Sequence, residues 1–317
     1  MLTGAQREFF ADNGYLVIED VLDRETVLDP IRREYADILD RLYDGWWREG
    51  RVAAAPDGLT FEEKLITAYR AGCDWFQPMD ISLPGDRIQA DTPMHFGPAV
   101  FGLVTSPRLL DLVEDLIGPE ITSNPIQHVR IKPPATDLRA DEIRAHITST
   151  DWHQDQGVTH AEADNTKMVT VWCAITDATP ENGCLQVIPG AHRDGLKPHC
   201  PQVQTAIAAP FLDTGRAVPL PVKAGGVVVF DPYVPHASLV NRTQGIRWSF
   251  DLRYNRTGQP TGRSHFPSFV ARSRANPASE MTSWETWRDM WEEARTRLAA
   301  RPHIDIHRWD GDAPYCA

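Results

Sequence analysis

The chain has 317 residues, 42% of them hydrophobic and 24% charged, with ten tryptophans and a net charge of −12. This is the composition of a folded soluble protein, long enough for one large or two ordinary domains, and it excludes a disordered or low-complexity chain. The acidic balance, with a pI near 5.4, excludes a generic binder of nucleic acid or of an anionic membrane surface and disfavours a highly anionic substrate, unless a local basic pocket overrides it.

In chain order, Thr3 and Gln6 form a capping-box pattern ahead of a short helix that Asn13-Gly14 stops. YLVIEDVL predicts a strand and then the start of a helix over 24–45, whose Leu28, Ile31, Tyr35, Ile38 and Leu42 recur at helical spacing. Residues 50–120 are mixed, with Pro and Gly turns and one predicted helix, RLLDLVEDLIG, ended by Gly118. From Ile121 to Tyr254 the pattern changes to short apolar or alternating runs, at 126–132, 166–176, 184–188, 226–230 and 246–254. Asn182-Gly183 and Pro189-Gly190 punctuate them as turns, which is how strands are written. Near the end Thr282 and Glu285 suggest a second capping box, followed by Trp284, Trp287 and Trp291 on the stripe of a docked amphipathic helix. The least patterned stretch, 133–150, reads as a surface loop, with a lid over a site as the alternative.

The start, MLTGAQREFF, does not read as a signal peptide, and no apolar run approaches the ~18 residues of a membrane span. The five cysteines (Cys73, Cys173, Cys184, Cys200 and Cys316) show no C-x-x-C spacing. Neither a zinc finger nor a disulfide framework is expected, and a reducing cytoplasm fits.

The chemistry begins at WHQDQG, residues 152–157. In extended chain, side chains i and i+2 share a face, so His153 and Asp155 can aim an imidazole and a carboxylate at one point. Such a nitrogen and oxygen pair suits a divalent transition metal, but a third ligand is needed. His192 lies in a PGAHRDG turn and reads as a surface residue. His236 ends GGVVVFDPYVPH, at the rim of an apolar strand, where it can reach a pocket or simply cap a loop. In IRWSFDLRYNR, Arg247, Ser249, Asp251 and Arg253 alternate with apolar residues. That polar face is either solvated or lines a barrel interior, where an arginine needs a partner such as a small-molecule carboxylate.

Taken with IKPP at 131–134, the block from Val169 to His199 and the block from Gly225 to Phe250, these motifs resemble the phytanoyl-CoA dioxygenase family of Fe(II)- and 2-oxoglutarate-dependent oxygenases. The resemblance runs from the N-terminal helix to about Tyr254. It implies a mainly β fold with flanking helices around a double-stranded β-helix (jelly-roll, cupin-like) core. The expected organisation is a single domain over 1–317, with a helical part about 1–120, the core about 121–256 and a helix-bearing extension about 257–317. By resemblance His153, Asp155 and His236 are iron ligands, and Arg247 pairs with the distal carboxylate of 2-oxoglutarate. Ser238 and Lys132 also hold that cosubstrate, and Trp172, with Thr170 on its face, lines the same pocket. O2 is the second cosubstrate, and a small molecule is hydroxylated at an unactivated C–H with release of succinate and CO2.

Because Asp155 is present, hydroxylation is favoured over halogenation, and the acidic chain favours a free small molecule over a CoA thioester. Arg253 is the replacement should Arg247 not hold the cosubstrate. The loop at 133–150 is longer than the family pattern and the chain beyond about 256 has no counterpart, so the substrate is not carried over. The competing readings are a non-catalytic jelly-roll binding protein and a zinc-dependent hydrolase on the same triad.

Overall fold

The computed structural model describes residues 1–85, 87–135, 150–201, 204–301 and 308–316. The expected loop over 133–150 therefore lies almost wholly outside the described residues.

The capping box at Thr3 and Gln6 starts α1 (Gly4–Asn13), and Gly14, in the left-handed region at φ 79°, ends it. β1 (Tyr15–Ile18) follows. The helix expected over 24–45 is a π-helical turn at Arg24–Leu28, capped by Asp23, that runs into α2 (Asp29–Arg48). Its apolar stripe is buried at Leu28, Ile31, Tyr35 and Ile38 and continues through Leu39, Tyr43 and Trp46. Between 50 and 120 the chain forms α3 (Phe61–Arg70), α4 (Phe76–Met79), α5 (Pro98–Val104) and α6 (Pro107–Ile117), where the pattern indicated only the last. α4 and α5 span two turns or less, too short for a 3.6-residue repeat to stand out. α6 ends at Gly118, φ 98°.

The strands are β2 (Glu120–Lys132), β3 (Met168–Ala174), β4 (Leu185–Val187), β5 (His199–Pro201), β6 (Thr205–Ile207), β7 (Val218–Leu220), β8 (Val227–Phe230), β9 (His236–Ser238), β10 (Arg247–Arg256) and β11 (Phe269–Ser273). α7 (Trp284–Ala299) follows them. Six form a major antiparallel sheet in the order β1-β8-β3-β10-β2-β11, and β7-β4-β9 form a minor sheet. Together they make the double-stranded β-helix with flanking helices. The two edge strands of the major sheet, β1 and β11, come from outside the 121–256 span.

Period-two alternation sorts the major sheet into two faces. Val129, Ile131, Val169, Val171, Val227, Val229, Trp248 and Phe250 join the helices in the larger core. Trp172, Ala174, Val228 and Phe230 face the other way and join Leu185, Val187 and Leu220 of the minor sheet. Between the two sheets lies the site.

Two expectations are corrected. The cap of α7 is Ser283, which accepts from the Thr286 N–H, rather than Thr282. Trp287 and Trp291 do dock, with ring centroids 4.7 and 5.1 Å from Phe96. Cys200 and Cys316 form a disulfide that ties the C-terminal turn to β5, where only thiols were expected. Their 116-residue separation hides the pairing from any spacing rule. Among the described residues, no helix is long and apolar enough to cross a membrane.

Candidate metal centre and cosubstrate pocket

His153 and His236 are bridge partners. The His153 N–H donates to the His236 carbonyl at 3.0 Å and the His236 N–H to the His153 carbonyl at 2.9 Å. That pairing brings the two imidazoles to a centroid distance of 4.1 Å. Gln154 is extended, and Asp155 then opens a 3-10 turn over Asp155–Val158. The expected strand geometry thus covers the first step only, but it still returns the carboxylate to the imidazoles. Asp155 Oδ1 lies 3.6 Å from His153 Nε2 and 3.8 Å from His236 Nε2. One ligand atom from each of the three residues lies within 4.8 Å of the others.

The histidine tautomers suit a metal. Nδ1 of His153 donates to the Asp151 carbonyl at 2.8 Å, and Nδ1 of His236 to the Val234 carbonyl at 3.0 Å. A carbonyl only accepts, so the proton sits on Nδ1 and the lone pair on Nε2 faces the centre. Burial lowers the His236 pKa to about 4, which keeps that ring neutral. Two neutral imidazole nitrogens and one carboxylate oxygen fit Fe(II).

Asp155 is gripped on both oxygens. Thr170 Oγ1 donates to Oδ2 and Arg253 Nη2 donates to Oδ1. Thr170 and Arg253 are direct cross-strand partners on β3 and β10. Burial pushes the Asp155 carboxyl up, but the Arg253 guanidinium and both imidazoles outweigh it and hold it well below the usual carboxylate range.

Deeper in the barrel, Arg247 is 1% exposed. Its Nε donates to the Gly183 carbonyl at 3.1 Å and Nη1 to Ser249 Oγ at 2.8 Å, and its guanidinium lies over the Trp172 ring at 5.2 Å. Among the described residues no carboxylate comes within ion-pairing distance of it. Burial pulls its pKa down to about 10. Gly183, at φ 95°, must be glycine, because a Cβ would meet the Leu239 carbonyl oxygen at 2.6 Å. Lys132 Nζ donates to Ser238 Oγ at 2.6 Å and to the Leu239 carbonyl at 3.0 Å. Burial, then the Arg247 charge, lowers its pKa well below the usual range.

One and the same cavity is lined by His153, Asp155, His236, Thr170, Trp172, Ser238 and Arg247. Of the eight residues the motifs indicated, only Lys132 stands outside that lining, and it reaches the cavity through Ser238. Three charged wall residues were given no role by the sequence reading or a different one: Arg130, Asp251 and Arg253. The alternation of β10 put Asp251 and Arg253 on the right face, but nothing in it named their partners.

The support behind the ligand loop was also missed. His199 Nε2 accepts the Gln154 N–H at 3.0 Å, while its Nδ1 donates to the Lys197 carbonyl at 2.7 Å. Gln154 is itself locked, donating to the Gly195 and Tyr233 carbonyls and accepting from the Lys197 N–H. A Cβ on Gly157 would come within 2.5 Å of the His199 ring, so the glycine of WHQDQG is a packing requirement. Trp309 stacks on His199, with ring centroids 5.1 Å apart, and donates to the Gly157 carbonyl.

A family profile for phytanoyl-CoA dioxygenase matches residues 10–249. The chain is 36% identical over 276 residues to phytanoyl-CoA dioxygenase 1 of Oryza sativa subsp. japonica, covering 79% of this chain and 88% of that one. It is 27% identical over 262 residues to the peroxisomal phytanoyl-CoA dioxygenase of Homo sapiens, covering 80% and 68%. Among solved structures, the apo non-heme monooxygenase ThoJ shares the fold with a TM-score of 0.59 at 18% identity, covering 93% of this chain and 97% of that one. EvdO2 from Micromonospora carbonacea var. aurantiaca, solved with 2-oxoglutarate, has a TM-score of 0.51 at 22% identity, covering 81% and 92%. The chain belongs to the phytanoyl-CoA dioxygenase family, and with it to the iron(II)- and 2-oxoglutarate-dependent oxygenases.

Proposed function

We propose that His153, Asp155 and His236 hold iron(II), that Arg247 with Ser238 and Lys132 receives the distal carboxylate of 2-oxoglutarate, and that the enzyme hydroxylates an unactivated C–H of a small organic molecule. One observation carries this: three potential metal-ligand atoms converge within 4.8 Å in the same cavity that holds a buried arginine with no carboxylate partner among the described residues. The bound iron, 2-oxoglutarate and O2 supply oxidising power, with succinate and CO2 as the coproducts.

The chain's own residues supply position. The backbone carbonyls of Asp151 and Val234 fix the two imidazoles. Thr170 and Arg253 fix the carboxylate, so Thr170 acts through Asp155 as well as by lining the cavity. Arg247, whose guanidinium lies over the Trp172 ring, lines the cavity, where N–H groups not used on Gly183 and Ser249 would donate to a carboxylate. Trp172, Leu185 and Phe230 are the apolar wall that limits water around the reacting atoms. The same reading treats 1–317 as one catalytic domain acting in the cytoplasm.

Anaerobic titration of the protein with iron(II) and then 2-oxoglutarate tests the assignment. A weak visible charge-transfer band that saturates with 2-oxoglutarate is expected. No band, together with no succinate above background over a broad substrate panel, overturns it. Turnover that persists without O2 and 2-oxoglutarate indicates a zinc hydrolase instead.

A further inference from the structure

The charge of the cavity does not match the charge of the chain. The protein carries −12 overall. Its cavity is lined by three guanidinium groups, Arg130, Arg247 and Arg253, and by two carboxylates, Asp155 and Asp251. Each carboxylate already has one guanidinium partner. Arg130 Nε donates to Asp251 Oδ2 at 3.0 Å, and Arg253 pairs with Asp155.

Loading the site as proposed adds a dication and a dianion, which cancel in total but not in place. Asp155 Oδ1, the oxygen nearest both imidazole Nε2 atoms, is also the oxygen that Arg253 holds. One carboxylate cannot neutralise both a divalent metal and a guanidinium. Arg247 meanwhile is matched by the distal carboxylate of the cosubstrate. The uncompensated charge therefore falls on Arg253, which is 7% exposed and, among the described residues, has only the Ile126 carbonyl, at 3.2 Å, as a further acceptor. Among the described residues its Nε–H is buried with no partner, and so are Nη1 of Arg130 and, on the acceptor side, Oδ1 of Asp251. Buried guanidinium N–H groups without acceptors are costly, and an oxyanion supplied by a ligand satisfies them.

We propose that the substrate is an anion, and that its carboxylate or phosphonate group is received in this cavity by Arg253, with Arg130 as a second donor. This rests on the iron(II) and 2-oxoglutarate reading above. It makes the basic cavity, not the acidic surface, the determinant of which molecules enter.

The test uses full-length protein loaded with zinc(II), which binds the same ligand set without turning over. Zinc loading and 2-oxoglutarate binding are measured first by titration. The saturated complex is then titrated, by tryptophan fluorescence and thermal shift, with short aliphatic carboxylates, alkylphosphonates and the methyl esters of both. Saturable binding of one acid class, at least about tenfold tighter than its esters, is expected. Arg130→Gln and Arg253→Gln should each weaken that binding about tenfold or more, and Arg253→Lys should restore part of it. Whether carboxylates or phosphonates bind identifies which group the substrate carries. Equal binding of acids and esters, or no saturable binding of any acid, overturns the proposal. So does a loss in Arg253→Gln confined to 2-oxoglutarate affinity, because the oxyanion at Arg253 is then the cosubstrate's own. If 2-oxoglutarate does not bind the zinc-loaded protein at all, the functional reading itself fails and takes this inference with it.

Discussion

Thr170 and Arg253 stand opposite each other on β3 and β10, and between them they hold both oxygens of the Asp155 carboxylate. The register of two neighbouring strands thus orients a proposed metal ligand that belongs to neither strand. Asp155 sits in a 3-10 turn after Gln154, and the two cross-strand side chains set its Oδ1 facing the imidazoles.

Thr170→Val keeps the shape of the side chain and removes its donor. We expect metal affinity to fall about 10- to 100-fold, the usual effect of losing a hydrogen bond to a metal ligand. Asp155→Ala, which removes the ligand, should cost far more. Competition with a coloured chelator, on samples whose circular dichroism matches the parent, measures both. Unchanged affinity in Thr170→Val means that Asp155 is oriented without the hydroxyl.

Arg247→Ala removes a charged anchor remote from the metal. The concentration of 2-oxoglutarate needed for half-saturation should rise about 10- to 100-fold, the worth of a lost charge-assisted bond. The rate at saturating cosubstrate should fall much less. A steady-state series in 2-oxoglutarate separates the two. If the half-saturation point does not move, the distal carboxylate is held elsewhere, and Arg253 is the next residue to test.

Gly157→Ala forces a methyl group into the His199 ring, whose nearest atoms would lie 2.5 Å from the new Cβ. His199 is pinned by Gln154, Lys197 and Trp309 and cannot step aside freely. Overpacking of this kind costs about 1–3 kcal/mol. An unfolding free energy, measured in urea, lowered by that amount is expected, and an unchanged value would show that the ligand loop is looser than its contacts suggest.

Burial lowers the His199 pKa from 6.5 to about 4. The unfolded chain accepts a proton near pH 6.5 that the folded chain refuses. The stability His199 contributes is therefore complete above about pH 6.5 and is lost as the pH falls toward 4, at up to about 1.4 kcal/mol per pH unit. Urea unfolding of the metal-free protein at about pH 7.5 and about pH 5.5 should show this loss. In His199→Gln, which does not titrate, the difference between the two pH values should shrink by about 1 kcal/mol.

Reduction of Cys200–Cys316 opens a loop closed over 116 residues. A crosslink of that span typically contributes about 2–4 kcal/mol. The C-terminal turn also carries Trp309 against His199, and Arg308 Nη2 against Asp164 Oδ2 at 2.7 Å. Dithiothreitol, or Cys200→Ser, should lower the unfolding free energy by about that amount, with a correspondingly lower denaturation midpoint, and speed amide exchange at Gln154 and Gly157. An unchanged midpoint and unchanged exchange would show that the noncovalent contacts suffice.

Much of the site was legible in the residues. Alternation told that Arg247, Ser249, Asp251 and Arg253 share one face of β10, and that Thr170, Trp172 and Ala174 share one face of β3, because a strand's side chains alternate whatever it packs against. His153, Asp155 and His236 were recognisable because a metal accepts few side-chain types and the surrounding blocks are distinctive. The stop at Gly118 and the cap at Thr3 were readable for the same reason: each depends on residues within a few positions.

Tertiary structure alone decided what those faces meet. That Arg253 turns to Asp155, 98 residues away, that Lys132 turns to Ser238, 106 away, and that Cys200 finds Cys316 depend on strand order and register. No local pattern encodes either. Periodicity records which side of an element a residue occupies, whereas a partner across the barrel is chosen by the folding of everything between.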